Sequence, residues 1–144
     1  MAASTVPATK AAILALLRAR PSLNLVSITW GEPTESEDLA DELIFFEDPV
    51  VRTPLWGPLG APNPIDEEYI LVLKVRNRLF GDEQQATEER CWALVYEIEQ
   101  SLRGARPAGM LKPIDFGEQE YRTNQLSDGW YGEIEIPLVC TARI

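Results

Sequence analysis

The sequence predicts an α+β fold: a mostly antiparallel sheet with two main helices packed on one face, and long irregular loops between the early strands. Three observations predict it. An aliphatic strand over residues 65–76 is followed by an amphipathic helix, another amphipathic helix opens the chain, and a hairpin with a cleanly alternating last strand closes it. A chain of 144 residues is expected to form a single domain over 1–144.

Residues 65–104 are the stretch around which the other elements are arranged, and they are predicted to form a strand, a tight turn and a helix. The strand covers residues 65–76. Successive side chains of a strand point to opposite sides, so one face of this strand is fully apolar, while the other ends on Lys74 and Arg76. We therefore expect a central strand whose far end emerges into solvent. The apolar face consists of Tyr69, Leu71, Leu73 and Val75.

The second helix is predicted over residues 82–104, with Asp82 as its N-cap and Gly104 just past its end. Its main apolar stripe consists of Thr87, Cys91, Leu94, Val95, Ile98 and Leu102. Trp92 and Tyr96, four residues apart, form a second strip. This strip either widens the buried face, the commoner fate of aromatic residues, or contacts another subunit.

The remaining regular elements follow from the same patterns. The first helix is predicted to begin at a cap on Ser4 or Thr5 and to pack on the sheet. Strands are predicted over 24–30, over 111–123 with a bulge, and over 130–144 after a hairpin turn.

Two long loops are predicted, over about 31–42 and 47–65, with a short strand at 43–46 between them. The second loop is rich in proline, which lacks a backbone N–H and is unsuited to a central strand. Long loops in small domains are usually functional or mobile. Trp56 and its neighbour Leu55 are therefore candidate contacts with another subunit.

The charge of the chain is strongly acidic, with a formal net charge of −10. This argues against binding of nucleic acid by phosphate neutralisation, although an acidic wall beside DNA would let the DNA slide past. The acidic side chains are either solvated or form a surface facing a lumen or a basic partner. The candidates are Glu35, Glu37, Asp38 and Asp41 in the first loop, and Glu133 and Glu135 on a strand face that we expect to be exposed.

No catalytic, cofactor or metal site is predicted. The chain has no histidine, which excludes Ser-His-Asp and Cys-His catalysis. Cys91 and Cys140 lie in apolar rows and are expected to be buried free thiols. We expect neither a signal peptide nor a membrane span, and synthesis in the cytoplasm.

Three segments carry a resemblance to a known family. These are AAILALLRARPSLNLVSITWG near the start, EEYILVLKVRNRLFGDEQQATEERCWALVYEIEQSLR in the middle and SDGWYGEIEIPLVCTARI at the end. Together they resemble the tail terminator, or tail completion, proteins of long-tailed bacteriophages, and they cover most of the chain.

The resemblance implies a structural virion protein that is not an enzyme. Such proteins form a homo-oligomeric ring, typically a hexamer, on the last ring of the tail tube. They stop tube polymerisation and present a surface to the head–tail connector, and DNA passes through the ring without sequence-specific binding. The expected partners are therefore further copies of the chain, the tail tube protein and the connector protein.

Two other interpretations remain open at this point. The first is another head–tail joint protein, such as a stopper, an adaptor or a minor tail protein, which differs in the partner that it binds. The second is a small ligand-binding or catalytic α+β domain, which predicts a monomer or dimer with an enclosed apolar pocket.

Overall fold

The computed structural model describes residues 3–33, 41–59, 63–80, 83–107, 109–126 and 129–144. Two α-helices and a six-stranded sheet form the fold, which confirms the predicted α+β class. The elements are α1 (Val6–Arg18), a short 3₁₀ helix (Pro21–Leu23), β1 (Ser27–Thr29), β2 (Glu42–Trp56), β3 (Pro64–Phe80), α2 (Gln84–Leu102), β4 (Asp115–Phe116), β5 (Glu120–Leu126) and β6 (Gly129–Arg143).

The sheet is built on three long neighbouring strands in the order β2-β3-β6. β1 extends it at one edge, and it pairs with β2 in parallel. β4 and β5 pair with different parts of β6 at the other edge. Every pairing except that of β1 is antiparallel, as the sequence predicts.

The hydrophobic core lies between the helices and one face of the sheet. The predicted apolar face of β3 is almost completely buried there, together with the alternating apolar residues of β6. Residues such as Leu17 of α1 and Leu94 and Ile98 of α2 cover it. Each large side chain buried in this way contributes about 1.5–3 kcal/mol to folding.

The end of α2 follows the prediction, and its start differs from it. Gly104 has a φ angle of +71°, a left-handed conformation that suits glycine just past a helix end. Glu83 occupies the N-cap position without a capping side-chain hydrogen bond. The predicted cap, Asp82, lies outside the described residues.

Residues 47–56 form the second half of β2, so the predicted loop over 47–65 is wrong there. β1 pairs only with residues 43–45, and beyond them β2 is bonded to β3 on one side. An edge strand tolerates proline, which explains Pro54. Pro49 follows a cis peptide bond from Asp48, within a register shift between Glu47 and Val51. In the loop over 31–42, residues 34–40 are outside the described part.

Two predicted strands are shorter than expected. The 24–30 strand is reduced to β1, because the 3₁₀ helix and its turn occupy the preceding residues. The 111–123 strand is divided into β4 and β5. The division occurs at Gly117, where the chain passes so close to β6 that an added Cβ would lie 2.9 Å from Pro137 Cβ.

Candidate interaction surfaces

Trp92 and Tyr96 form an exposed strip on α2, so the interpretation of this strip as a wider buried face is wrong. Their side chains are 38% and 57% exposed. The Trp92 ring lies 6.3 Å from the ring of Tyr121 on β5, and its Nε1 donates a hydrogen bond of 3.2 Å to Glu88. We call Trp92, Tyr96 and Tyr121 the aromatic surface; it lies on the β5 side of the molecule.

A second exposed apolar surface is the tip of the hairpin between β2 and β3. It includes the predicted contact residues Leu55 and Trp56, the latter 60% exposed, and also Leu59 and Ile65. Single exposed apolar residues are ordinary, but several at one hairpin tip are typical of a contact surface. That Leu55 and Trp56 contact another subunit remains a prediction.

The candidate acidic residues do not form one continuous surface. Asp41 is exposed just before β2, and Glu135 is half-exposed on β6. Glu35, Glu37 and Asp38 lie outside the described residues. Glu133 is only 8% exposed, so the prediction that it lies on an exposed strand face is wrong.

Glu133 is buried because it belongs to a cluster of charges on the sheet face opposite the helices. The Lys74 ammonium in this cluster lies 2.8 Å from Glu47, 3.4 Å from Glu133 and 3.5 Å from Glu135. Arg76 donates to Glu133 at 2.8 Å. We call Glu47, Lys74, Arg76, Glu133 and Glu135 the sheet-face cluster. It also corrects the expectation that the end of β3 emerges into solvent, because Lys74 is buried.

The cluster keeps its basic members charged. Burial alone would lower the pKa of the Lys74 ammonium, but the hydrogen bond to Glu47 and the charges of Glu133 and Glu135 outweigh it, so the pKa is raised. The Arg76 guanidinium also lies against the rings of Phe45 and Tyr131, 5.4 and 5.3 Å from their centroids.

A second buried charge, Glu67 on β3, joins the sheet to the start of α1. Its carboxylate accepts hydrogen bonds from the Ser4 hydroxyl at 2.7 Å, the Thr5 backbone N–H at 2.9 Å and Arg52 at 3.1 Å. Thr5 is the N-cap residue, as the sequence predicts, but its side chain forms no cap hydrogen bond. A carboxylate from a neighbouring strand therefore takes over part of the capping role.

The two cysteines and the acidic residues are the described side chains to consider for thiol or metal chemistry. Both cysteines are buried free thiols, as predicted, and burial raises the pKa of Cys91 and Cys140 to about 12, so neither is a reactive thiolate at neutral pH. Within the described ranges, no three His, Cys, Asp or Glu residues are grouped to hold a metal ion. No helix in these ranges has the length and apolar content needed to cross a bilayer.

Comparison with known proteins identifies a related fold. No protein-family model matches the chain, and no curated protein matches it. A virion chain shares the fold. It belongs to a solved structure described as "Virion of native gene transfer agent (GTA) particle". The two chains are 20% identical, the TM-score is 0.67, and the match covers 99% of this chain and 98% of the other.

The similarity extends over essentially the whole of both chains. At 20% identity it establishes a shared fold. The exposed aromatic surface and the hairpin tip are features of this chain's own residues.

Proposed function

We propose that this protein is a structural virion protein that acts as a tail terminator. Copies of the chain form a ring, a hexamer in the family that the sequence resembles, at the head-proximal end of a tail tube. The ring stops tube polymerisation, binds the head–tail connector and lets DNA pass through its lumen. The observation that carries the proposal is the end-to-end fold similarity to a chain of a virion.

The two exposed apolar surfaces support assembly into a larger particle. The aromatic surface and the hairpin tip present Trp92, Tyr96, Trp56 and Leu59 to solvent in the isolated chain. Trp and Tyr dominate the binding energy of many protein interfaces. A ring subunit needs such surfaces on several sides, for its two neighbours, the tube and the connector.

The excess of acidic over basic residues supports a ring through which DNA passes. With a net charge of −10 per chain, a closed ring is strongly negative, and a negative wall repels DNA. We propose that Asp41 and Glu135, with Glu35, Glu37 and Asp38, contribute to the lumen wall. Glu133 takes no direct part, because it is buried against Lys74 and Arg76.

Growth of tail tubes provides a direct test of this role. The purified chain is added to tail tube protein from the same particle during polymerisation, and tube lengths are measured by electron microscopy. We expect shorter tubes with one end capped, and the cap lost when Tyr96→Ala is added instead. Uncapped tubes of unchanged length would contradict the terminator role.

Another head–tail joint protein is the second candidate. The fold similarity favours it too, because a chain with this fold in a virion could belong to any joint of the particle. A stopper or adaptor would bind portal or connector protein and leave tube growth unchanged. Co-purification with these proteins instead of tube protein would support this candidate.

A further inference from the structure

A cavity of about 510 Å³ lies at the β1–β2 edge of the molecule, next to Glu47 of the sheet-face cluster. Its lining comes from α1, from the residues that follow β1 and from β2 at its register shift. Its main lining residues are Lys10, Trp30, Glu32, Phe46, Glu47 and Asp48. It therefore combines two aromatic rings, one ammonium and several carboxylates.

The ammonium of Lys10 is the unusual group in this cavity. It lies 5.4 Å from the ring centroid of Trp30 and 5.2 Å from that of Phe46. Lys10 is only 8% exposed, although lysine is almost never fully buried unless paired. Within the described part of the chain, its three N–H donors have neither a hydrogen-bond acceptor nor an ion-pair partner, and its described contacts are with the two aromatic rings.

The other basic residues show how exceptional this is. All thirteen lysines and arginines fall within the described ranges. There, the side chains of Lys10 and of the exposed Arg103 form no hydrogen bond or ion pair with another described residue. Among the carboxylates that line the cavity, Glu32 pairs with Arg76 and Glu47 pairs with Lys74, and neither forms an ion pair with Lys10. Asp48 forms no ion pair with Lys10.

We propose that this cavity is a binding site for a carboxylate, supplied by an acidic side chain of a second copy of the chain. The ammonium would donate to the carboxylate oxygens, and the rings of Trp30 and Phe46 would contact the aliphatic stem. Cation–π contact and a charge-assisted hydrogen bond act on the same ammonium without competing, because they use different directions around it.

Charge and position both favour a second copy as the source. The chain carries 23 acidic residues against 13 basic ones, so its neighbours in an assembly present many unpaired carboxylates. The cavity lies at the β1–β2 edge, whereas the aromatic surface lies on the β5 side, which is the opposite edge. A contact between two different surfaces of identical chains is the kind that closes rings. The choice of a second copy thus rests on the proposed self-association.

Lys10→Met tests the site, because methionine keeps an aliphatic stem between the rings and removes the ammonium. Arg103→Met is the matched control, since it removes the other unpaired basic charge outside the cavity. We expect Lys10→Met to weaken self-association about tenfold or more, measured by analytical ultracentrifugation, with Arg103→Met unchanged. Lys10→Arg should restore most of the affinity. Unchanged self-association of Lys10→Met would overturn the proposal.

A zero-length carbodiimide cross-link identifies the source of the carboxylate. The reagent joins an amine directly to a carboxylate in contact with it, and a mixture of ¹⁴N- and ¹⁵N-labelled chains distinguishes links between copies from links within one. We expect a Lys10 cross-link between copies, found by mass spectrometry. An assembly in which Lys10 is linked only within its own chain would overturn the second-copy assignment.

Titration of the protein with N-acetylglutamate N-methylamide tests the carboxylate site independently of whether the chain forms a ring. The glutamine analogue is the uncharged control, and the Trp30 indole signal in the NMR spectrum is the readout. If the chain does not self-associate, the proposed ring fails. In that case, a saturable shift of the Trp30 signal that is absent in Lys10→Met would support a carboxylate site that binds a free ligand instead of a second copy. No shift in the wild-type monomer would overturn the site itself.

Discussion

At the scale of single residues, the partners of the buried carboxylates are what the sequence pattern could not reveal. Glu67 falls in phase with the apolar face of β3 that begins at Tyr69, but nothing in the sequence shows which groups satisfy its charge. In the fold it is completely buried, at the start of α1 and beside the hydroxyl of Tyr69. Its role depends on strand register and helix placement, which join residues more than sixty positions apart.

Glu67 should make the stability of the protein depend on pH. Burial alone would raise the pKa of its carboxyl, but hydrogen bonds from Ser4, Thr5 and Arg52 outweigh it, so the pKa is lowered below 4.5. The stabilisation is therefore fully present above pH 4.5 and is lost as the pH falls through the folded-state pKa. Glu67→Gln should lower the free energy of unfolding by about 2 kcal/mol at pH 7.

Urea unfolding at pH 7 and in a series down to pH 3 checks this prediction. The difference between wild type and Glu67→Gln should shrink as the pH falls below 4.5. Glu68→Gln, at the exposed neighbouring position, is the control and should stay close to wild type throughout. A difference that stays constant with pH would show that the Glu67 charge contributes nothing.

The sheet-face cluster provides a second residue-scale prediction. Glu133→Gln leaves the buried Lys74 and the partly buried Arg76 with one fewer counter-charge, and it should cost about 3 kcal/mol of unfolding free energy. Glu135→Gln is the matched control, because this carboxylate is half-exposed and 3.5 Å from the same ammonium; it should cost less than about 1 kcal/mol. The free energies of unfolding are measured by chemical denaturation at pH 7. Equal losses for Glu133→Gln and Glu135→Gln would show that the burial of Glu133 does not increase its contribution to stability.

At the scale of elements, sequence periodicity predicts what lies in the core and fails at the edge. The alternation of β3 and β6 and the stripe of α2 depend on local spacing, and all three elements form as predicted. The proline density of the segment from residue 47 onward predicts a loop, whereas the segment forms a sheet edge, where a strand tolerates proline. Edge position is a tertiary property, set by how short β1 is.

The same limit applies to the interaction surfaces. Their aromatic residues are visible in the sequence, but the exposure of Trp92 and Tyr96 depends on which side of α2 meets the sheet. The cavity around Lys10 was missed, because it joins residues of α1, the segment after β1 and the bulge of β2. A lysine within an otherwise apolar stretch of the first helix was the available signal.

Tyr96→Ala should separate folding from assembly. Because the side chain is 57% exposed, its loss should change the free energy of unfolding by less than about 0.5 kcal/mol. If the aromatic surface is an interface, self-association should weaken by tenfold or more, which is about 1.4 kcal/mol or more. Leu25→Ala, at an exposed apolar residue outside this surface, is the control. If Tyr96→Ala and Leu25→Ala associate equally in ultracentrifugation, the aromatic surface on α2 is not part of the interface.

At the scale of the whole molecule, three long strands form the centre of a six-stranded sheet that has two helices on one face and a charged cluster on the other. The aromatic surface and the hairpin tip present exposed side chains, so contacts there can be altered without disturbing the packed face of β3. The Lys10 cavity adjoins the core, because its lining residue Phe46 is buried there. The fold similarity to a virion chain concerns the sheet and its helices, and the proposed function depends on the surfaces.

The mass of the particle in solution tests the central claim most directly. It is measured for the purified chain alone and with its tail tube protein, by light scattering and mass photometry. We predict a closed ring of about six times the 16.1 kDa chain mass, and binding of that ring to tube ends. A chain that stays monomeric in both conditions would contradict the terminator ring and favour a joint that closes only on another partner, or a small ligand-binding domain.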